Sequence, residues 1–413
     1  MRSWRRGALL RWGLVAGLVL AFAPALGGPD ATASGIIYGA GARATPLTAA
    51  EEADPLAVEL ARRFNPAMAL PTADAPWPVE VSYSWSDGAD LMARARNAAG
   101  EIVSERIAAR NQVLRGGGGW GDLASRDAQG RELEYFIDAP GDDRVGGGAS
   151  DDSAWRVRWR ELAGRQPDRS AFRPTQYAHL FWLDRPRGLL AIQYWFYFPF
   201  NEWINHHEGD WEHVNVILQG PSDFAGRAAF RAVGQQFYFH GWRYEPARTV
   251  RARAAGGDHL VVFTGGRGQF LWWRGNQSGG SYPWPARFHS VGGGIGPLSP
   301  DDDTRRPGRF LPAEAFQVVL LPEPSRLDTR MHPELSWLRL HFRAGQPHMQ
   351  NNPPLMDRLG GGGPPMQPGV RRDWNSTISR PRWLGRATLD GEPDGGIARG
   401  LAGDPLIIVA QGR

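Results

Sequence analysis

The stretch that most constrains this chain is residues 191–218, AIQYWFYFPFNEWINHHEGDWEHVNVIL. Two apolar runs rich in aromatic and β-branched residues flank a polar segment. They predict neighbouring strands, with Pro199 and the Asn201–Asn205 stretch as punctuation. If the second run is a strand from Asp210 to Leu218, alternate residues share a face. Asp210 and Glu212 then point the same way as Val214, Val216 and Leu218. Two carboxylates ending an inward apolar row are costly unless something neutralises them. A bound cation is the simplest neutraliser, with His207 arriving from the adjoining loop as a third ligand.

The acidic-histidine block spans His206 to His213. It is not a zincin helix, because Trp211 stands where the second histidine would be needed, and Gly209 breaks the inverted pattern. One imidazole nitrogen and two carboxylates suit Ca²⁺, Mg²⁺ or Mn²⁺ better than Zn²⁺. The plain alternative is a surface turn with solvated charges. His240 and His259 close two further apolar runs, where a lone histidine is ordinarily structural. Were those strand ends to meet the acidic block, they would line a cleft. No serine lies in a G-x-S-x-G elbow, and Asp301-Asp302-Asp303 lacks EF-hand spacing and reads as a solvated loop.

Composition removes several function classes. Cysteine and lysine are both absent, which excludes disulfides, cysteine nucleophiles, cysteine-zinc sites, Schiff-base chemistry and the phosphate-binding lysine loop. The net charge of +4 includes the arginines near the amino terminus, and no basic cluster argues for nucleic acid. None of the glycine runs has nucleotide-loop spacing, so no nucleotide is expected. The 18 tryptophans are core or stacking residues, and Trp203, Trp211, Trp242 and Trp272–Trp273 are the candidates for a sugar-stacking or membrane-interface surface.

Arg2, Arg5 and Arg6 precede an apolar stretch from Trp12 to Leu26, followed by small residues. That pattern predicts a signal peptide over 1–33 and export to the periplasm or beyond. The apolar stretch is short for a membrane span, and no later segment resembles an integral span. Residues 34–53 read as a flexible leader and 54–413 as a single β-rich domain. Asp54-Pro55 starts a helix with Leu56, Leu60 and Phe64 on one face, ended by Pro66. Val79 to Trp85 alternates like a strand, 89–112 suits a helix, and strand-like segments recur at 133–137, 155–159, 189–198, 214–218, 236–240, 259–263, 269–273, 316–320 and 406–409. The fold class expected is mainly β, a β-sandwich or distorted barrel with loop insertions and a few short helices.

At Gln193–Tyr197, Asn201 and the His207–Glu212 block, H-E-G-D-W-E, the chain resembles the vacuolar protein sorting-associated protein sixty-two family, whose bacterial members are exported proteins. The likeness extends to LARRFNP (60–66), PVEVSYSW (78–85), FYFHGW and HLVVFTGG. Where that family has a Gly-Ser-His-Ala-like step, this chain reads Gly-Arg-Gly-Gln. The block is also similar to the G-H-R-H-D-W-E heptapeptide of the necrosis- and ethylene-inducing-peptide-like cytolysins. Those are secreted β-sandwiches that hold a divalent cation and bind sphingolipid sugar heads. This resemblance puts His207, Asp210 and Glu212 on cation-binding positions, with a fourth ligand at Asn201 or Glu202.

The expectation is therefore an exported protein with a divalent-cation site binding an oxygen-rich ligand, a glycan or a lipid headgroup. The cation would coordinate ligand oxygens while Trp203 or Trp242 stacks on the ligand and His259 lines the cleft. The rival is a metal-dependent hydrolase in which the cation activates water and Glu208 or His240 handles the proton. A purely structural cation is the third reading.

Overall fold

A computed structural model describes residues 44–99, 101–110, 123–141, 154–202, 207–224, 229–239, 242–246, 249–254, 257–266, 269–270, 273–274, 279–288, 301–339, 342–345, 363–377 and 407–410. The expected signal peptide lies outside them, as do Trp203, His206, His240 and the side chain of Trp242. Among the described residues no helix is long and apolar enough to cross a membrane.

The chain is mainly β, in several open sheets and no closed barrel among the described residues. The largest sheet orders β1 (Thr45–Pro46), β6 (Thr175–Asp184), β7 (Leu189–Asn201), β8 (His207–Gln219), β9 (Arg231–Phe239) and β10 (Trp242–Tyr244), with β19 (Gln317–Leu320) beside β6. The second orders β18 (Arg309–Leu311), β2 (Ala67–Leu70), β12 (Gly257–Thr264), β11 (Thr249–Ala254) and β20 (Ile407–Ala410), with β15 (Ser281–Tyr282) on β12. A third joins β4 (Ile102–Arg110), β3 (Asp90–Arg96) and β5 (Leu133–Asp138). Two short ladders pair β13 (Gln269–Phe270) with β14 (Trp273–Arg274) and β16 (Arg287–Phe288) with β17 (Asp302–Asp303). Among the described residues the α-helices are α1 (Ala49–Glu52), α2 (Pro55–Phe64) and α3 (Ala154–Ala163).

The β7–β8 ladder is the spine. It pairs without a shift from Leu189 opposite Gln219 to Asn201 opposite His207. Side chains paired across an antiparallel ladder share a face. One face of this spine therefore carries Tyr194, Phe196 and Phe198 beside Val214, Glu212 and Asp210. The apolar members of that row form one buried core with Leu60 and Phe64 of α2, Met68 and Leu70 of β2, and Leu260 and Val262 of β12. Each large side chain so buried contributes about 1.5–3 kcal/mol relative to exposure. The helix is built as its sequence predicts: Asp54 accepts the Leu56 N–H at 2.9 Å, Pro55 opens the first turn and Asn65 closes it. The Tyr194 hydroxyl, donating to the Ala61 carbonyl at 2.7 Å, ties that helix to the spine. The other side of β12 feeds a second core through Val261 and Phe263, which meet Phe239, Tyr282, Trp284 and Phe288.

Four local expectations fail, each for a physical reason. The end of the leader is structured: Thr48 and Glu51 form a reciprocal capping box on α1, and Thr45 and Pro46 pair with Trp182 and Phe181. Val81–Trp85 is a 3₁₀ helix, not a strand. Trp155 and Trp159 lie four apart on α3, both buried, while Val157 between them is 43% exposed. A strand would have buried Val157 with them; spacing of two and spacing of four cannot be told apart by the tryptophans alone. The alanine-rich 89–112 stretch forms β3 and β4 around a turn in which Asn97 Oδ1 accepts from the Ala99 and Glu101 N–H groups. Pairing with β5 outweighs the helical preference of alanine, since tertiary pairing readily overrides intrinsic propensity.

Candidate functional site

Strand alternation delivers the carboxylates as the sequence implied. Asp210 stands opposite Phe198 and Glu212 opposite Phe196, on the inward face of β8. Asp210 is buried, and its Oδ2 accepts from Asn201 Nδ2 at 3.1 Å. Glu212 keeps some solvent contact yet is packed deeply enough to feel a low-dielectric surrounding. Burial pushes the Glu212 carboxyl well above the usual carboxylate range. Asp210, Asp302 and Asp373 push it the same way, and Arg371 opposes them. The ceiling over the pair is Gly279, in the left-handed region at φ 72°. A methyl group there would sit 2.5 Å from Asp210 Oδ2 and 3.2 Å from Glu212 Cγ. Gly279→Ala is therefore expected to displace the Asp210 carboxylate and to cost about 1–3 kcal/mol from strain. A thermal melt would show the loss, and unchanged stability would mean the 279–280 turn can move away.

Asp302 was missed by sequence reasoning. It is fully buried, not solvated, and its Oδ2 accepts from the Tyr282 hydroxyl at 2.6 Å. The Tyr282 phenol is pushed upward by burial and by Asp302 and Glu212, so these groups share one neighbourhood. Nothing in the Asp-Asp-Asp run itself tells which of its members turns inward. Only the pairing of Asp302 with Phe288, in a strand against the second core, does so.

His207 takes another course. Gly209 sits at φ 59°, where a side chain would press on Tyr197 Oη at 2.7 Å and on Ala344 Cβ at 2.8 Å. This kink places His207 Nδ1 2.7 Å from the Gly209 carbonyl. Nδ1 therefore donates to that carbonyl, the contact by which metal-binding histidines orient Nε2 toward the ion. Even so, among the described residues no three His, Asp or Glu side chains gather closely enough to hold a metal ion. Asp210 and Glu212 are brought together; His207 is not drawn into a three-residue cluster with them.

The remaining candidates scatter. Glu202 forms a buried ion pair with Arg156 of α3, which leaves Asn201 as the neighbour that reaches Asp210. Glu208 is fully buried, and its Oε1 accepts from the Ala139 N–H at 2.8 Å. His259 is buried with Nδ1 2.7 Å from the Asn65 carbonyl, next to the end of α2. It lies four residues along β12 from Phe263, which pairs with Tyr282, or about 13 Å at strand rise. Trp211 is a core residue, donating through Nε1 to the Met366 carbonyl at 3.0 Å. His213 lies on the opposite face of β8, between the rings of Trp195 and Tyr238 at 4.2 and 3.8 Å. Burial, then Arg371 and Arg243, hold its proton affinity well below the imidazole range, so it is a neutral core ring.

No family model and no curated protein sequence matches the chain. The resemblance to the vacuolar sorting family thus stands on the quoted residues alone. Among solved structures, the chain is similar to one described as the crystal structure of non-toxic HaNLP3 protein, of the necrosis- and ethylene-inducing-peptide type. The likeness has 14% identity and a TM-score of 0.24, and it covers 57% of this chain and 75% of that one. At that distance it places no residue of the site.

Proposed function

We propose that this is an exported protein that holds a divalent cation at Asp210 and Glu212 and through it binds an oxygen-rich ligand, a glycan or a lipid headgroup. What carries the reading is the charge imbalance on the inner face of β8. Asp210 and Glu212 lie beside one another under Gly279, with Asp302 near enough to strengthen Glu212's hold on a proton. A dication would take the place of that proton and offset both carboxylates. Carboxylate and amide oxygens favour Ca²⁺, Mg²⁺ or Mn²⁺ over Zn²⁺. In this reading the ligand's own oxygens complete the coordination shell, His207 borders it, and Trp203 or Trp242 supplies a stacking surface. The binder is preferred to the hydrolase because Glu208 is engaged with the Ala139 N–H in the interior.

Calorimetric titration of chelator-stripped protein with Ca²⁺, Mg²⁺, Mn²⁺ and Zn²⁺ tests it, beside Asp210→Asn/Glu212→Gln. The expected result is saturable binding of a hard cation, weakened about a hundredfold or more in the variant, as for loss of the main charged ligands. A folded wild-type protein that binds none of the four ions would remove the reading. Preference for Zn²⁺ would turn it toward the hydrolase.

A further inference from the structure

The segment 363–377 lies against the outer face of the β7–β8 spine, opposite the acidic pair. Its main chain is fixed there by side chains of the sheet. Gln193 Nε2 donates to the Asp373 carbonyl at 2.8 Å, Asn215 Nδ2 to that of Ser376 at 3.0 Å, and Trp211 Nε1 to that of Met366 at 3.0 Å. Arg371 of this segment donates through Nη1 to the Trp211 carbonyl at 3.1 Å. Its guanidinium carbon lies 5.7 Å from the centre of the Trp195 ring. The accepting carbonyl belongs to the peptide that joins Trp211 to Glu212, so the guanidinium is anchored to the main chain one peptide from the acidic pair. Among the described residues no ion pair joins Arg371 to Glu212; Arg371 binds the main chain next to Glu212 and acts on its carboxylate electrostatically.

We infer that Arg371 sets the strength of the cation site: its guanidinium is the standing positive charge against which a divalent cation must bind. The inference rests on the cation-binding reading above and adds its regulation. A partly buried charge anchored beside a carboxylate pair is screened less by salt than one in open solvent. It opposes a dication twice as strongly as a proton. It is also the positive charge acting on Glu212 against Asp210, Asp302 and Asp373. Anything that lifts segment 363–377 from the sheet would carry this charge away and tighten the site. The segment is thereby an electrostatic governor that need not enter the site.

The test is Mn²⁺ titration of the full chain as wild type, Arg371→Met and Arg371→Lys, each followed by calorimetry. Arg371→Met keeps the stem over Trp195 and removes the charge; about tenfold tighter Mn²⁺ binding is expected. Arg371→Lys keeps the charge and should stay within about threefold of wild type. Equal tightening in both variants would make the effect one of packing and overturn the inference, as would unchanged or weaker binding in Arg371→Met. Were Arg371→Met to lose its cooperative melt, Arg371→Gln takes its place under the same criteria. A wild-type protein that binds no Mn²⁺ would sink the underlying reading and this inference with it. Wild-type binding abolished by Asp210→Asn/Glu212→Gln but indifferent to Arg371→Met would sink this inference alone.

Discussion

Replacing Arg156 by methionine is expected to destabilise the fold by about 3–5 kcal/mol, the cost of stranding one member of a buried ion pair. Arg156 and Glu202 are 1% and 2% exposed, and the guanidinium meets the Glu202 carboxylate directly. The arginine comes from α3, and the glutamate follows the last residue of β7. Removing the arginine takes the cation from a carboxylate that is 2% exposed. The double variant Arg156→Met/Glu202→Leu is expected to recover most of the loss, because apolar replacement of both partners removes the desolvation penalty along with the attraction. Urea unfolding of the wild type, both singles and the double would close the cycle. A single-variant cost below about 1 kcal/mol would show that Glu202 reaches solvent once its partner is gone. The pair also matters to the site, since it fixes the chain next to Asn201, and Asn201 holds Asp210.

How far the sequence reaches can be seen in particular residues. The inward row of Asp210, Glu212, Val214, Val216 and Leu218 was legible, because strand alternation is a strict period and the run is long. Helix α2 was legible from Asp54, Pro55 and Pro66, whose backbone preferences act locally. The tryptophans of α3 were misleading because 155, 157 and 159 satisfy a strand while 155 and 159 alone satisfy a helix. Sites assembled from distant segments were not legible at all. Asp302 joins the acidic group from 90 residues beyond Glu212 by number, and Arg371 acts on it from a segment with no motif. The kink at Gly209 shows a further limit. A glycine inside a strand signals a bend, but only the packing of Tyr197 and Ala344 decides that the bend turns His207 toward the Gly209 carbonyl.

Glu212→Gln is expected to make the cation-free protein more stable at pH 8 and to leave it unchanged near pH 4. The sign follows from linkage. Burial and the neighbouring acids raise the proton affinity of Glu212 in the folded chain above its ordinary value of 4.5. Below that value the carboxyl is protonated in folded and unfolded chains alike, so its ionisation costs nothing. As pH rises through it, the unfolded chain releases its proton first and gains relative to the native state. The penalty grows until the folded carboxyl itself ionises, and it remains at higher pH. Glutamine has the shape of the protonated acid and never ionises, so it escapes the penalty; a gain of about 1–3 kcal/mol is in the range for an ill-solvated buried polar group. Denaturant unfolding with chelator present, at the two pH values, measures it. A saturating hard cation should then reverse the order at pH 8, because ligand binding to the native state stabilises the wild type and finds no full site in the variant. A glutamine variant less stable than wild type at pH 8 without cation would show that Arg371 already compensates the Glu212 charge. The acidic pair would then have no need of a bound ion, and its place on the inner face of β8 would be explained by the arginine alone.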